Sequence, residues 1–151
     1  AATGNKDFGY VGGGDPNYST IFRIDYSSDT GTAPAKGPLD VGVGRHAATG
    51  NANFGYIGGG YPAKSTVQRI DYSNDTATAS VRGQLNTAQL FAAATGNSSF
   101  GYFGGGTPGE KSTVDRIDYS NDTADASPKG PLSQGREFLA ACSSLANGIP
   151  Q

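Results

Sequence analysis

A near-identical unit of 46 residues runs three times along this chain, and that repetition limits the folds open to it. Phe8, Phe54 and Phe100 each open a Phe-Gly-Tyr-X-Gly-Gly-Gly run. Arg23, Arg69 and Arg116 each open Arg-Ile-Asp-Tyr-Ser, and the one extra residue of the third unit falls between Thr107 and Lys111. Gly37-Pro38-Leu39, Gly83-Gln84-Leu85 and Gly130-Pro131-Leu132 follow in the same order, and Ala-Thr-Gly-Asn ends at Asn5, Asn51 and Asn97. Each unit is too small to bury an apolar face alone, so neighbouring units must stack to share a core.

Within a unit the apolar residues follow a strand period. Val67, Arg69 and Asp71 fall on one face of an extended segment, and Thr66, Gln68, Ile70 and Tyr72 on the other. Four short strands are expected per unit: in the second these are His46 to Thr49, 54–58, Ser65 to Tyr72 and Thr76 to Val81. Gly-Asn, Gly-Gly and Ser-Asn-Asp segments separate them as turns. No window carries a capped apolar stripe of helical period, so almost no helix is expected. The units divide the chain at about 1–44, 45–90 and 91–136. Glu137 to Ser143 reads as a fourth copy of the first strand, and Leu145 to Gln151 as a tail outside the pattern.

Four strands in 46 residues is the size of a propeller blade. Glycine triplets suit strands that crowd toward an axis, and the pairs Ala47-Ala48 and Ala93-Ala94 suit an innermost strand. A β-trefoil or β-prism also uses three units, but a trefoil would carry larger apolar residues where Gly58 to Gly60 stand. The unit resembles a kelch repeat: Tyr56-Ile57-Gly58-Gly59-Gly60 is similar to that family's strand ending in a double glycine, and Val67 to Tyr72 to its third strand. Gly130-Pro131-Leu132 through Arg136 is similar to the segment leading into the next blade. The tryptophan usual on the fourth strand of kelch blades has no counterpart here. The wording of residues 112–124 also resembles repeats in virion structural proteins of phages that infect marine cyanobacteria. These resemblances imply an all-β, kelch-like β-propeller of three four-stranded antiparallel blades plus one extra strand, located on a virion or outside the cell.

Propellers ordinarily close with four to eight blades, and three leave open edges that invite pairing. Completion by another chain is therefore expected, as a six-bladed homodimer or a filament joined by exchange of the last strand. Methionine is absent even at position 1, so the chain is either processed or a piece of something longer; no signal peptide is read in it.

The composition excludes several classes of function. Charged residues are 16% of the chain and the net charge is −2, which does not suit a phosphate backbone, so no nucleic-acid partner is expected. No run of 18 apolar residues is present, so no membrane insertion is expected. The glycine triplets lack a following Lys-Ser or Lys-Thr and a helix, so they are not phosphate cradles. No Ser/His/Asp set and no cluster of His and Cys stands out, so no catalytic residue, metal or cofactor is expected.

The repeated charges have structural readings. Asp71-X-Ser73-X-Asp75 recurs at Asp25 and Asp118; calcium is conceivable for such spacing, but turn chemistry accounts for it better. Arg23 with Asp25, Arg69 with Asp71 and Arg116 with Asp118 read as structural pairs within or between blades. His46 is replaced by Ala92 and Leu139 in the other units, so its surroundings tolerate apolar groups, and Cys142 reads as a small buried hydrophobe.

The units differ most in the loop between strands two and three and in the connection to the next unit, which emerge together on one face. Loops on a rigid scaffold are where recognition concentrates. Tyr18, Tyr61, Lys64 and Lys111 are the candidate ligand-binding residues, for a surface glycan or a protein. A structural assembly protein and a lectin-like module are thus the two functions in view.

Overall fold

A computed structural model describes residues 1–142 of the chain. It is all-β among those residues, with two single 3-10 turns at Tyr72–Asn74 and Tyr119–Asn121. Three separate antiparallel sheets form in chain order, rather than one closed barrel. The first holds β1 (Ala2–Gly4), β2 (Phe8–Gly12) and β3 (Ile21–Asp25). The second holds β4 (Ala47–Gly50), β5 (Phe54–Gly58), β6 (Val67–Asp71) and β7 (Ser80–Val81). The third holds β8 (Ala93–Gly96), β9 (Phe100–Gly104), β10 (Val114–Asp118) and β11 (Ser127–Lys129).

The same local chemistry builds each sheet. Asn5, Asn51 and Asn97 close the first hairpin: each side chain accepts the backbone N–H of the phenylalanine three residues on, at 2.9 to 3.0 Å. The second and third glycines of each triplet take positive φ, at Gly13 and Gly14, Gly59 and Gly60, Gly105 and Gly106. That conformation ends the second strand and excludes most side chains.

The first sheet has three strands, not four. The expected fourth strand is reduced to a bridge between Phe22 and Ala35. Pro34 stands where Ser80 pairs with Arg69 in the second sheet. It accepts from the Arg23 N–H at 3.0 Å but has no N–H to return, so the ladder stops. The fourth strand of the second sheet is also shorter than expected, covering Ser80–Val81, because the chain turns at Asp75 and Thr76, bends at Ala77, and spends the Ala79 N–H on Pro38 O of the first unit at 2.8 Å. Glu137 to Cys142 forms no strand, and Ser143 and the tail Leu145 to Gln151 lie outside the described residues.

The core lies between sheets. Tyr10, Ile21 and Leu39 of the first unit pack with Ile57, Ile70 and Ala79 of the second. Tyr56, Val67 and Leu85 of the second pack with Phe103, Ile117, Tyr119 and Ala126 of the third. Each interface is thus built from the same positions, one set from each neighbour. Residues on both faces of β6 are buried, Val67 and Gln68 among them, because that strand is sandwiched. The first strands of successive sheets, β1, β4 and β8, lie against one another, where only Ala, Thr and Gly fit.

Candidate functional site

Two features of the fold concentrate chemistry: a polar clamp between neighbouring sheets, and the face where the divergent loops meet.

The clamp centres on the last aspartate of each Asp-X-Ser-X-Asp turn. Asp75 receives Arg23 Nη1 at 2.8 Å, Lys36 Nζ at 3.2 Å and the Tyr10 hydroxyl at 3.0 Å, all from the preceding unit. Asp122 receives Arg69 Nη1 at 2.8 Å, the Tyr56 hydroxyl at 2.9 Å and Arg82 Nε at 3.6 Å. Burial of Asp75 opposes its ionisation, but Tyr10, Lys36 and Arg23 outweigh it and hold the carboxyl below the usual range. Burial and the bond to Asp75 push the Tyr10 hydroxyl up to about 12. The backbone joins in, with Gly37 N–H donating to Asp75 O at 2.8 Å and Gly83 N–H to Asp122 O at 2.9 Å.

A stacked tyrosine pair sits beside each clamp. Tyr10 lies on Tyr72 at 4.7 Å and Tyr56 on Tyr119 at 4.8 Å, nearly parallel. The Tyr72 and Tyr119 hydroxyls reach Thr3 and Thr49 of the preceding unit at 2.8 and 3.0 Å. Each repeated arginine also covers its own sheet's phenylalanine: Arg23 over Phe8, Arg69 over Phe54 and Arg116 over Phe100, at 4.2 to 4.3 Å.

The pairs expected at Arg23–Asp25, Arg69–Asp71 and Arg116–Asp118 are therefore corrected. Arg23 and Arg69 reach into the next unit instead, and among the described residues Arg116 has no carboxylate partner. Asp25, Asp71 and Asp118 turn back on their own chain and accept the amide and hydroxyl of Ser27, Ser73 and Ser120. The serine hydroxyl leads in holding all three carboxyls below the usual range. Asp71 and Asp75 thus serve different partners and do not converge as a calcium loop would.

On the loop face, backbone bridges tie the divergent segments together: Gly44 to Tyr61, Lys64 to Gln89, Leu90 to Thr107 and Lys111 to Arg136. Of the four candidate ligand residues, Tyr18 and Tyr61 are exposed, and Lys64 and Lys111 are half-buried. Sequence reasoning missed Arg45, whose guanidinium covers Tyr61 at 4.7 Å and Phe91 at 5.4 Å and reaches Asp15 at 3.1 Å. Phe91 in turn meets Phe138 at 4.1 Å. Arg45, Phe91 and Phe138 occupy equivalent positions and all take φ of 55° to 58°, a strained conformation for such residues. The available signal was that the three units share the position; the obstacle was that its residue type varies.

His46 Nε2 meets Gly12 O at 3.0 Å, and burial first of all pulls its pKa down to about 4. Cys142 is exposed, not buried as expected, because no further sheet covers it among the described residues. No protein-family model matches the chain, and no curated protein is significantly similar to it.

Proposed function

We propose that this chain is a non-enzymatic assembly protein, a run of kelch-like propeller blades that builds a virion part or an extracellular fibre. The observation that carries the reading is how the repeated polar groups are used. Each repeated arginine that has a following sheet, with its tyrosine and the aspartate of the next unit, is spent on joining one sheet to the next. A chain whose recurrent ion pairs all run from one sheet to the next suits a scaffold that extends or closes by adding blades. The order of β1, β4 and β8 supports an axis lined by first strands, with later strands outward.

A second reading, a lectin-like or protein-binding module, is favoured by the exposed aromatics Tyr18, Tyr61 and Phe138 on the divergent face. Negative-stain microscopy with a glycan array tests both. Rings or fibres of stacked blades support assembly, and isolated single chains contradict it. Glycan binding that Tyr61→Ala abolishes supports the second reading; an array without binding discards its glycan form.

A further inference from the structure

The two outer surfaces of the three-sheet stack carry the two halves of the contact that already joins its sheets. On the third sheet, Tyr102, Val114 and Leu132 stand where Tyr56, Val67 and Leu85 hold the second interface, and they line an open cleft of about 350 Å³. Beside it Arg116 has no carboxylate partner among the described residues, and Lys129 is exposed, where Arg69 and Arg82 reach an aspartate. On the first sheet the opposite set is bare. Val11 is 43% exposed and Ile24 37%, whereas their equivalents Ile57, Phe103, Ile70 and Ile117 are all at 5% or less, and Tyr26 is 54% exposed where Tyr119 is 8%. Asp29, the counterpart of Asp75 and Asp122, is exposed and has no basic partner among the described residues.

We infer that the third sheet docks the first sheet of a second copy of this chain, with Asp29 entering between Arg116 and Lys129 and Tyr26 stacking on Tyr102. This rests on the assembly reading above and names its contact. Charge and shape agree on the occupant. The cationic seat faces a single carboxylate, and the apolar residues left uncovered on one side are those that fill the equivalent seat inside the chain. The backbone agrees as well. A Cβ at Gly37 or Gly83 would run into Ala77 O or Ala124 O of the next unit, while Gly130 meets nothing within 4 Å. Gly130 is thus kept open for a neighbour at Gly31 of the second copy.

Residues Leu139 to Cys142 run along the same seat. Thr95 Oγ1 donates to Cys142 O at 2.9 Å, as Thr3 Oγ1 donates to Thr49 O at 3.0 Å. This segment and β1 of the second copy occupy one place, so one displaces the other on docking, and the Asp29–Arg116 contact is the same in either case. The contact joins unlike surfaces, so it closes as a ring or continues as a filament.

Sedimentation velocity on the full chain across a wide concentration range tests the contact. Wild type is expected at multiples of 15.3 kDa. Asp29→Arg on the exposed first sheet, and Gly130→Ala in open space, are each expected to weaken association about tenfold or more while the melting of the isolated chain is unchanged. The double change Asp29→Arg with Arg116→Asp restores it by reversing both charges. An oligomer indifferent to all of these changes overturns this contact and leaves the assembly reading standing. A wild type that stays at the mass of one chain overturns both.

Discussion

Asp122 shows how far position changes the value of one residue type. Its carboxylate is nearly buried and holds Arg69, Arg82 and the Tyr56 hydroxyl, so Asp122→Ala strands charged groups inside the fold. A loss of about 3 kcal/mol is expected in urea unfolding. Asp71→Ala removes a local turn bond to Ser73 and should cost about 1 kcal/mol in the same assay. Equal losses at the two sites would mean that the clamp adds nothing beyond turn chemistry. The sequence showed both aspartates recurring but not which served the arginine. Arg69 and Asp122 are separated by 53 positions, and the nearer Asp71 occupies the more obvious place. A partner supplied by the next unit is invisible until the stacking order of the sheets is known.

At the scale of elements, the repeat located the second and third strands closely, since hairpin asparagines and glycine triplets bracket them in all three units. It misjudged the outer strands, where single residues decide. Pro34 cuts the first sheet short, and the chain after Asp75 reaches the fourth strand only at Ser80, four residues later than expected. The third strand carries the sharpest contrast. Gln68 accepts from Val41 N–H and donates to Val41 O, both at 2.9 Å. Its counterpart Asp115 accepts from Thr87 N–H at 3.1 Å but, having no N–H of its own, donates nothing back to that segment. Burial raises the Asp115 pKa above that of the unfolded chain, so the folded form holds its proton better, and stability falls as pH rises from 3.8 through the folded value. Asp115→Gln should restore both bonds to Thr87, add about 1 kcal/mol at neutral pH and remove that part of the pH dependence. Thermal melts at pH 4 and pH 7 check it; a variant less stable than wild type at both would show that the third sheet does not reuse the geometry of the second.

Across the whole molecule, one interface occurs twice inside the chain and is half-present at each outer sheet. In the sandwiched middle sheet Arg69 and Asp75 both have partners of opposite charge, while the first and third sheets leave Asp29, Tyr26 and Arg116 without the partners their counterparts have. That asymmetry was only partly legible beforehand. Open edges followed from counting three units, but the seat was sought in an exchanged last strand, which forms no strand among the described residues. The most direct measurement is an experimental structure of the particle the chain forms at high concentration. It should place Asp29 of one copy within salt-bridge distance of Arg116 of the next, with Tyr26 and Tyr102 rings about 5 Å apart as in the internal pairs. A particle in which Arg116 and Asp29 both face solvent, with copies joined through any other surface, would contradict the account.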